Sequence, residues 1–283
     1  MVAIGQGRPA TGSCTLFERF AARIAALPAR ERLTKDDLLV PDFLLRREGR
    51  LAVYYAPFDY VEDRARVALV GITPGFRQME IAHREARRAL LADQVSPTEV
   101  CARVKYEASF AGPIRKNLVA MLDGIGLPAA LGIASSWALY GERRDLLHTS
   151  AVVRYPVFVD GADWTGHTPP VRSSPILREY ARGLLLEELR LTAHALIVTL
   201  GKCASDAVQA LLDDDALDPA RCLIGLPHPS GANGHRKAQY ERAREGLSVQ
   251  VAAWFGAPGQ PSPPAALRAS PPMAWGPEFG RGG

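Results

Sequence analysis

Four short runs of apolar, mostly β-branched residues limit most strongly how this chain can fold: 67–70, 149–153, 195–200 and 222–226. They do not alternate polar with apolar residues, as strands with one wet face do. Each therefore reads as a strand covered on both faces, the pattern of a parallel sheet. Helical spacing fills the intervals. Ile114, Leu118, Met121, Leu122 and Ile125 form one apolar stripe, closed by Gly126 and Pro128. Ser174 followed by Pro175 supplies an N-cap and a first-turn proline for a helix running to about Thr192. Tyr240, Ala243, Leu247, Val251 and Trp254 mark a final amphipathic helix. The alternation predicts an α/β fold, a three-layer α/β/α sandwich around a central four-stranded, mainly parallel sheet.

The two ends differ from this body. Residues 1–13 are Gly-rich and weakly patterned, whereas Leu16, Phe17, Phe20, Ile24 and Leu27 recur at helical spacing. Residues 256–283 hold seven prolines and six glycines, a composition that buries too little apolar surface to order itself. Three parts are expected: an N-terminal arm and helix over 1–30, one domain over 31–255, and a disordered tail over 256–283.

With 47% apolar and 23% charged residues in 283, the chain can build a core without disulfides or metals. The net charge of +4 is a mild bias toward polyanions. Cys14, Cys101, Cys203 and Cys222 show no Cys-x-x-Cys spacing and read as reduced, buried thiols. No stretch has the apolar length of a membrane span, and Arg8 precedes no apolar signal core. A cytosolic protein with no membrane partner is expected.

Two tight polar turns stand directly after apolar runs. Gly71-Ile72-Thr73-Pro74-Gly75 follows Val67–Val70, and His228-Pro229-Ser230-Gly231-Ala232-Asn233 follows Leu223–Leu226. Either alone is a common strand-ending turn, since Pro, Gly and Ser favour such positions. Two of them at strand ends mark the place where open α/β sheets bind ligands.

Together the two segments resemble the active-site motifs of the uracil-DNA glycosylase superfamily. Ser109-Phe110-Ala111-Gly112 and its following helix, the run Thr149–Pro156, and Leu200-Gly201-Lys202 extend the resemblance over roughly residues 51–255. It implies a pocket that receives an extruded base, because a base stacked within a duplex is out of reach. Phe110 would stack on that base, with Gly71, Ile72, Pro74, Gly75 and Ser150 around it. His228 would donate a hydrogen bond to the base oxygen that gains charge as the N-glycosidic bond breaks. Backbone amides of the Gly75 and Ser230 turns would hold phosphates, joined by Gly231, Ala232, Asn233, His235 and Arg236 on the DNA.

Several positions depart from the superfamily pattern. Thr73 stands where many uracil-excising relatives carry Asp or Asn, and a threonine hydroxyl is a poor base. Either Thr73 holds the water with little help or a carboxylate comes from elsewhere, with Asp59 and Glu80 as candidates. Ser150 replaces a base-reading asparagine. Gly75 replaces a tyrosine that excludes C5 substituents, which is expected to open that side of the pocket. Ala232 stands at the wedge position. The basic segment 76–108, with Arg77, Arg84, Arg87, Arg88, Arg103 and Lys105, reads as a pocket cover, a DNA contact or a solvated face. The loop 157–173, with Trp164 and His167, is long enough to be a lid.

The iron–sulfur class of the superfamily needs four thiolates, and Tyr155 stands where one would be. No cluster, metal or other cofactor is expected. Lys105, Lys116, Lys202 and Lys237 lie in no motif for a Schiff-base lyase. The resulting expectation is a monomeric, monofunctional DNA glycosylase. It would excise a modified or damaged pyrimidine, 5-substituted rather than strictly uracil, in base-excision repair or in defence against modified phage DNA. An inactive DNA-binding module and a nucleoside- or nucleotide-processing enzyme are the alternatives.

Overall fold

A computed structural model describes residues 14–92 and 95–257. The expected arm over 1–13 and all but the first two residues of the expected tail lie outside the described residues.

Among the described residues eight strands form two sheets: β1 (Leu44–Glu48), β2 (Leu51–Tyr54), β3 (Val67–Gly71), β4 (Leu147–Ala151), β5 (Val157–Val159), β6 (Ala162–Asp163), β7 (Leu196–Leu200) and β8 (Cys222–Leu226). The central sheet runs in the order β4-β3-β7-β8, and every pairing in it is parallel. All five residues of β3 and of β7 are buried. Successive side chains of β3 enter opposite cores. Ala68 and Val70 join the one that holds the N-terminal helix Thr15–Ala25, while Val67 and Leu69 join the one under the helices Pro113–Gly124 and Arg236–Gly256. This two-sided burial explains the unalternating runs, since each Val or Leu withdrawn from water contributes about 1.5–3 kcal/mol. The expected α/β/α sandwich is the observed one.

Helix ends follow local chemistry. Ser174 Oγ accepts from the Leu177 amide, and the segment beginning at Pro175 runs on through a wider turn at Ala181–Leu185 to Leu191. The final helix buries Leu247 and Val251, and Tyr240 Oη donates to Met121 O at 2.9 Å. Near the N-terminus, Phe17 and Ile24 are buried and the Phe20 ring stacks on Tyr55 at 4.1 Å.

Two features correct the sequence reading. The strand expected at 149–153 occupies 147–151, in register with Val67–Gly71, and beyond it the Val152 and Val153 amides still donate to Gly71 O and Ile72 O. A second, antiparallel sheet of order β1-β2-β5-β6 was not expected at all. It converts part of the expected lid into a hairpin whose turn residues, Asp160 and Gly161, both have positive φ.

Candidate functional site

At the carboxyl ends of the central strands lies a cavity of about 970 Å³. Gly71, Ile72, Thr73, Pro74, Gly75, Phe110, Ser150, His228, Ser230, Ala232 and Asn233 all line it. The two turns, at 71–75 and 228–233, therefore meet across one space because the parallel sheet puts both strand ends on the same edge.

Phe110 is held from several directions. The ring lies close against the strand end: a Cβ at Gly71 would stand 3.2 Å from it, so a larger residue there would press the ring back by a few tenths of an ångström. Phe110 has φ of 52°, a strained setting for a bulky residue. The loop that imposes it is fastened by Arg115, which donates to the carbonyls of Tyr106, Glu107 and Ser109. Ser109 Oγ also bonds Thr149 Oγ1 on β4 at 2.8 Å. One residue further along β4, the Ser150 hydroxyl is buried with no hydrogen-bond partner among the described residues.

His228 follows β8. Its Nδ1 accepts from the Ser230 amide at 3.3 Å, which leaves the proton of the neutral ring on Nε2. Burial lowers its pKa below the ordinary histidine value, so the imidazole is neutral at pH 7. Gly201 leaves room for the His228 backbone to pack closely, since a Cβ there would stand 2.8 Å from His228 Cβ.

The late turn is braced internally. Asn233 Nδ2 donates to His228 O and to Gln239 Oε1, and Arg236 Nη1 donates to Ser230 O at 2.8 Å. Asn117 Nδ2 holds Pro229 O at 2.9 Å. Arg236 thus staples the turn instead of projecting from it, and Gly231, His235 and Arg236 do not line the cavity. The Ser230 amide is bound to His228 and the Gly75 amide to Gln78 Oε1 at 2.9 Å. Within the two turns whose amides were expected to hold phosphates, these two N–H groups are satisfied inside the protein.

The basic segment 76–108 is likewise largely committed. Arg84 pairs with Glu80, Arg88 with Glu85 and Arg103 with Glu99, while Arg87 donates to Leu27 O. Arg77 is exposed and lines the cavity, with its guanidinium beside Gly112. Lys105 is buried at the cavity floor, where it donates to Tyr60 O and burial pulls its pKa down to about 8.

Neither expected carboxylate reaches the cavity. Glu80 is buried away from it, accepting from the Leu33 amide and from Arg84. Asp59 accepts from Tyr55 Oη at 2.7 Å and Tyr155 Oη at 2.5 Å, and burial raises its pKa. Arg154 lines the cavity and bonds Glu188 behind it, and His148 Nε2 bonds the same carboxylate at 2.9 Å. Burial pushes the Glu188 carboxyl up, but Arg154, Lys105 and the His148 bond together hold it well below the usual carboxylate range. Burial takes His148 down to about 4.

The acidic residue that does line the cavity is Asp163 on β6, which sequence reasoning missed. Its Oδ1 accepts from the Phe76 amide at 2.9 Å, and a Cβ at Gly75 would stand 2.9 Å from its Oδ2. The room beside Gly75, expected to be open, is filled by this carboxylate. The available signal was Asp160-Gly161 after Val157-Phe158-Val159, a hairpin dipeptide following a β-branched run. Within the loop expected to be a lid, Trp164 is buried and its indole N–H donates to Pro169 O.

The cavity at the parallel strand ends is thus lined by a neutral histidine and a phenylalanine held against a strand end. The family model of the uracil DNA glycosylase superfamily matches residues 58–248, and the chain belongs to that superfamily. It is 41% identical over 237 residues to the uncharacterized protein YoxB of Bacillus subtilis (strain 168), covering 83% of this chain and 91% of that protein. No solved structure gives a significant match. Among the described residues no helix is long and apolar enough to cross a membrane.

Proposed function

We propose that this protein is a monofunctional DNA glycosylase that hydrolyses the N-glycosidic bond of a flipped modified or damaged pyrimidine. The observation that carries the reading is His228. With Nδ1 occupied by the Ser230 amide, Nε2–H is the donor left for a ligand in the cavity. As the glycosidic bond breaks, negative charge gathers on the departing base, and a neutral, prealigned N–H stabilises it without reorganisation. Phe110 supplies the stacking face, and the unpartnered Ser150 hydroxyl supplies a hydrogen bond to the base edge.

The substrate reading rests on Ser150, because the space beside Gly75 is taken by Asp163. A single hydroxyl can donate or accept, so it discriminates less between pyrimidine edges than an amide does. Base-excision repair and defence against modified phage DNA are the settings that suit such an enzyme. Oligonucleotides carrying uracil, thymine mismatches and 5-substituted cytosines, resolved after alkaline cleavage of abasic sites, test it. Robust excision of uracil with none of any substituted base overturns the substrate reading.

A second reading is a DNA-binding module of the same fold without hydrolysis. Its support is Thr73, whose hydroxyl donates to Tyr155 O at 2.9 Å and retains only acceptor capacity toward a water. Release of no base from any substrate, with steeply salt-dependent DNA binding, decides for it.

A further inference from the structure

Hydrolysis at a sugar C1′ needs a group that takes a proton from the attacking water and offsets the positive charge developing on the sugar. Thr73 cannot serve, since a neutral hydroxyl that only accepts from a water is too weak a base to take its proton. His228 carries its proton toward the cavity and has its other nitrogen occupied. Asp59 and Glu80 are buried in other bonds outside the cavity. Among the described residues that line the cavity, Asp163 is the one with a carboxylate.

From this we infer that Asp163 is the water-activating residue, brought to the early turn by the β5–β6 hairpin. The inference rests on the glycosylase reading above. Asp163 Oδ1 is oriented by the Phe76 amide, at the start of the helix Phe76–Ala92. Its Oδ2 has no hydrogen bond among the described residues and lies against Gly75, two residues from Thr73. The hairpin register Phe158↔Asp163 and Val159↔Ala162 sets its place, and the neighbouring Trp164 anchors it by donating to Pro169 O at 3.0 Å. Gly75 is required for this arrangement, because any larger residue there would displace the carboxylate.

Water attacks C1′ and its proton passes to Asp163 Oδ2 while the C1′–OH bond forms. The C1′–N bond breaks, and its electron pair leaves with the base, whose oxygen is held by His228 Nε2–H. The departing anion then takes up one proton, which restores the Asp163 carboxylate directly or through solvent.

The test compares wild type with Asp163→Asn and Asp163→Ala under single turnover, on whichever substrate the panel identifies. Asn keeps the acceptor for the Phe76 amide and removes the charge. Asp163→Asn is expected to slow base release at least 100-fold with DNA affinity within threefold of wild type. Added formate is expected to restore part of the rate to Asp163→Ala and none to Asp163→Asn. An active wild type with an Asp163→Asn variant of equal rate overturns the role of Asp163 alone. A variant that keeps its rate but changes which base it prefers also overturns it, in favour of base selection. A wild type that releases no base overturns the glycosylase reading, and this inference with it.

Discussion

Replacing Gly201 with alanine tests whether close packing sets the position of His228. Gly201 has φ of 84° and ψ of 172°, a region nearly confined to glycine. Forcing alanine into such a conformation costs about 1–3 kcal/mol. The added Cβ would stand 2.8 Å from His228 Cβ and 3.3 Å from its backbone nitrogen, so the histidine and its turn must shift. A loss of about 2 kcal/mol corresponds to a fall in Tm of roughly 4–8 °C for a domain of this size. Moving a group at the reacting centre by about 1 Å costs on the order of 100-fold in rate. Gly126→Ala is the control, because Gly126 also has positive φ, 81°, but nothing lies within 4 Å of a Cβ there. The expected pair of results is a lower Tm in both variants, with slowed base release in Gly201→Ala only. Differential scanning fluorimetry and single-turnover excision measure the two. Equal excision rates in Gly201→Ala and wild type would refute the claim that this contact positions His228.

Three further outcomes follow from the same structure. Phe110→Ala should weaken binding of DNA that carries a flipped base by about 1–3 kcal/mol, the worth of one base–aromatic stack, and leave binding of undamaged duplex unchanged in fluorescence anisotropy. Burial lowers both His83 and His148 from 6.5 to about 4, so between those values the unfolded chain binds protons that the folded one does not. Stability is therefore full above about pH 6.5 and lost as pH falls toward 4, by a few kcal/mol across the pair, and a denaturant midpoint that stays flat over this window would contradict it. Arg154→Ala strands the buried Glu188 carboxylate and should cost about 3–5 kcal/mol in urea unfolding, while the double change Arg154→Leu with Glu188→Leu should recover much of that loss.

How much of this was legible beforehand depends on the range of the interaction. The central strands were readable because burial on both faces demands apolar residues at every position, and that demand is local. The capped helix at Ser174-Pro175 and the turns at Gly71–Gly75 and His228–Asn233 were readable for the same reason. The second sheet was not, because its strands are two to five residues long and β1 carries Arg46, Arg47 and Glu48, too little pattern to separate from loop. Asp59 and Glu80 looked available because a sequence does not say which carboxylate folding will bury against tyrosines or an arginine.

The sequence by itself determined the layered fold, the edge of the sheet where the site lies, and the identity of Phe110, Ser150 and His228 around it. Only the tertiary structure decided which carboxylate faces the cavity and which basic residues stay free to meet a ligand. Those choices depend on contacts between segments distant in sequence. Asp163 reaches Gly75 because a hairpin folds back across the early turn, and Arg236 is spent on Ser230 O because the last helix begins beside it. Apolar burial leaves its mark on every residue of a strand, whereas a polar side chain takes its role from whatever partner the fold brings within about 3 Å.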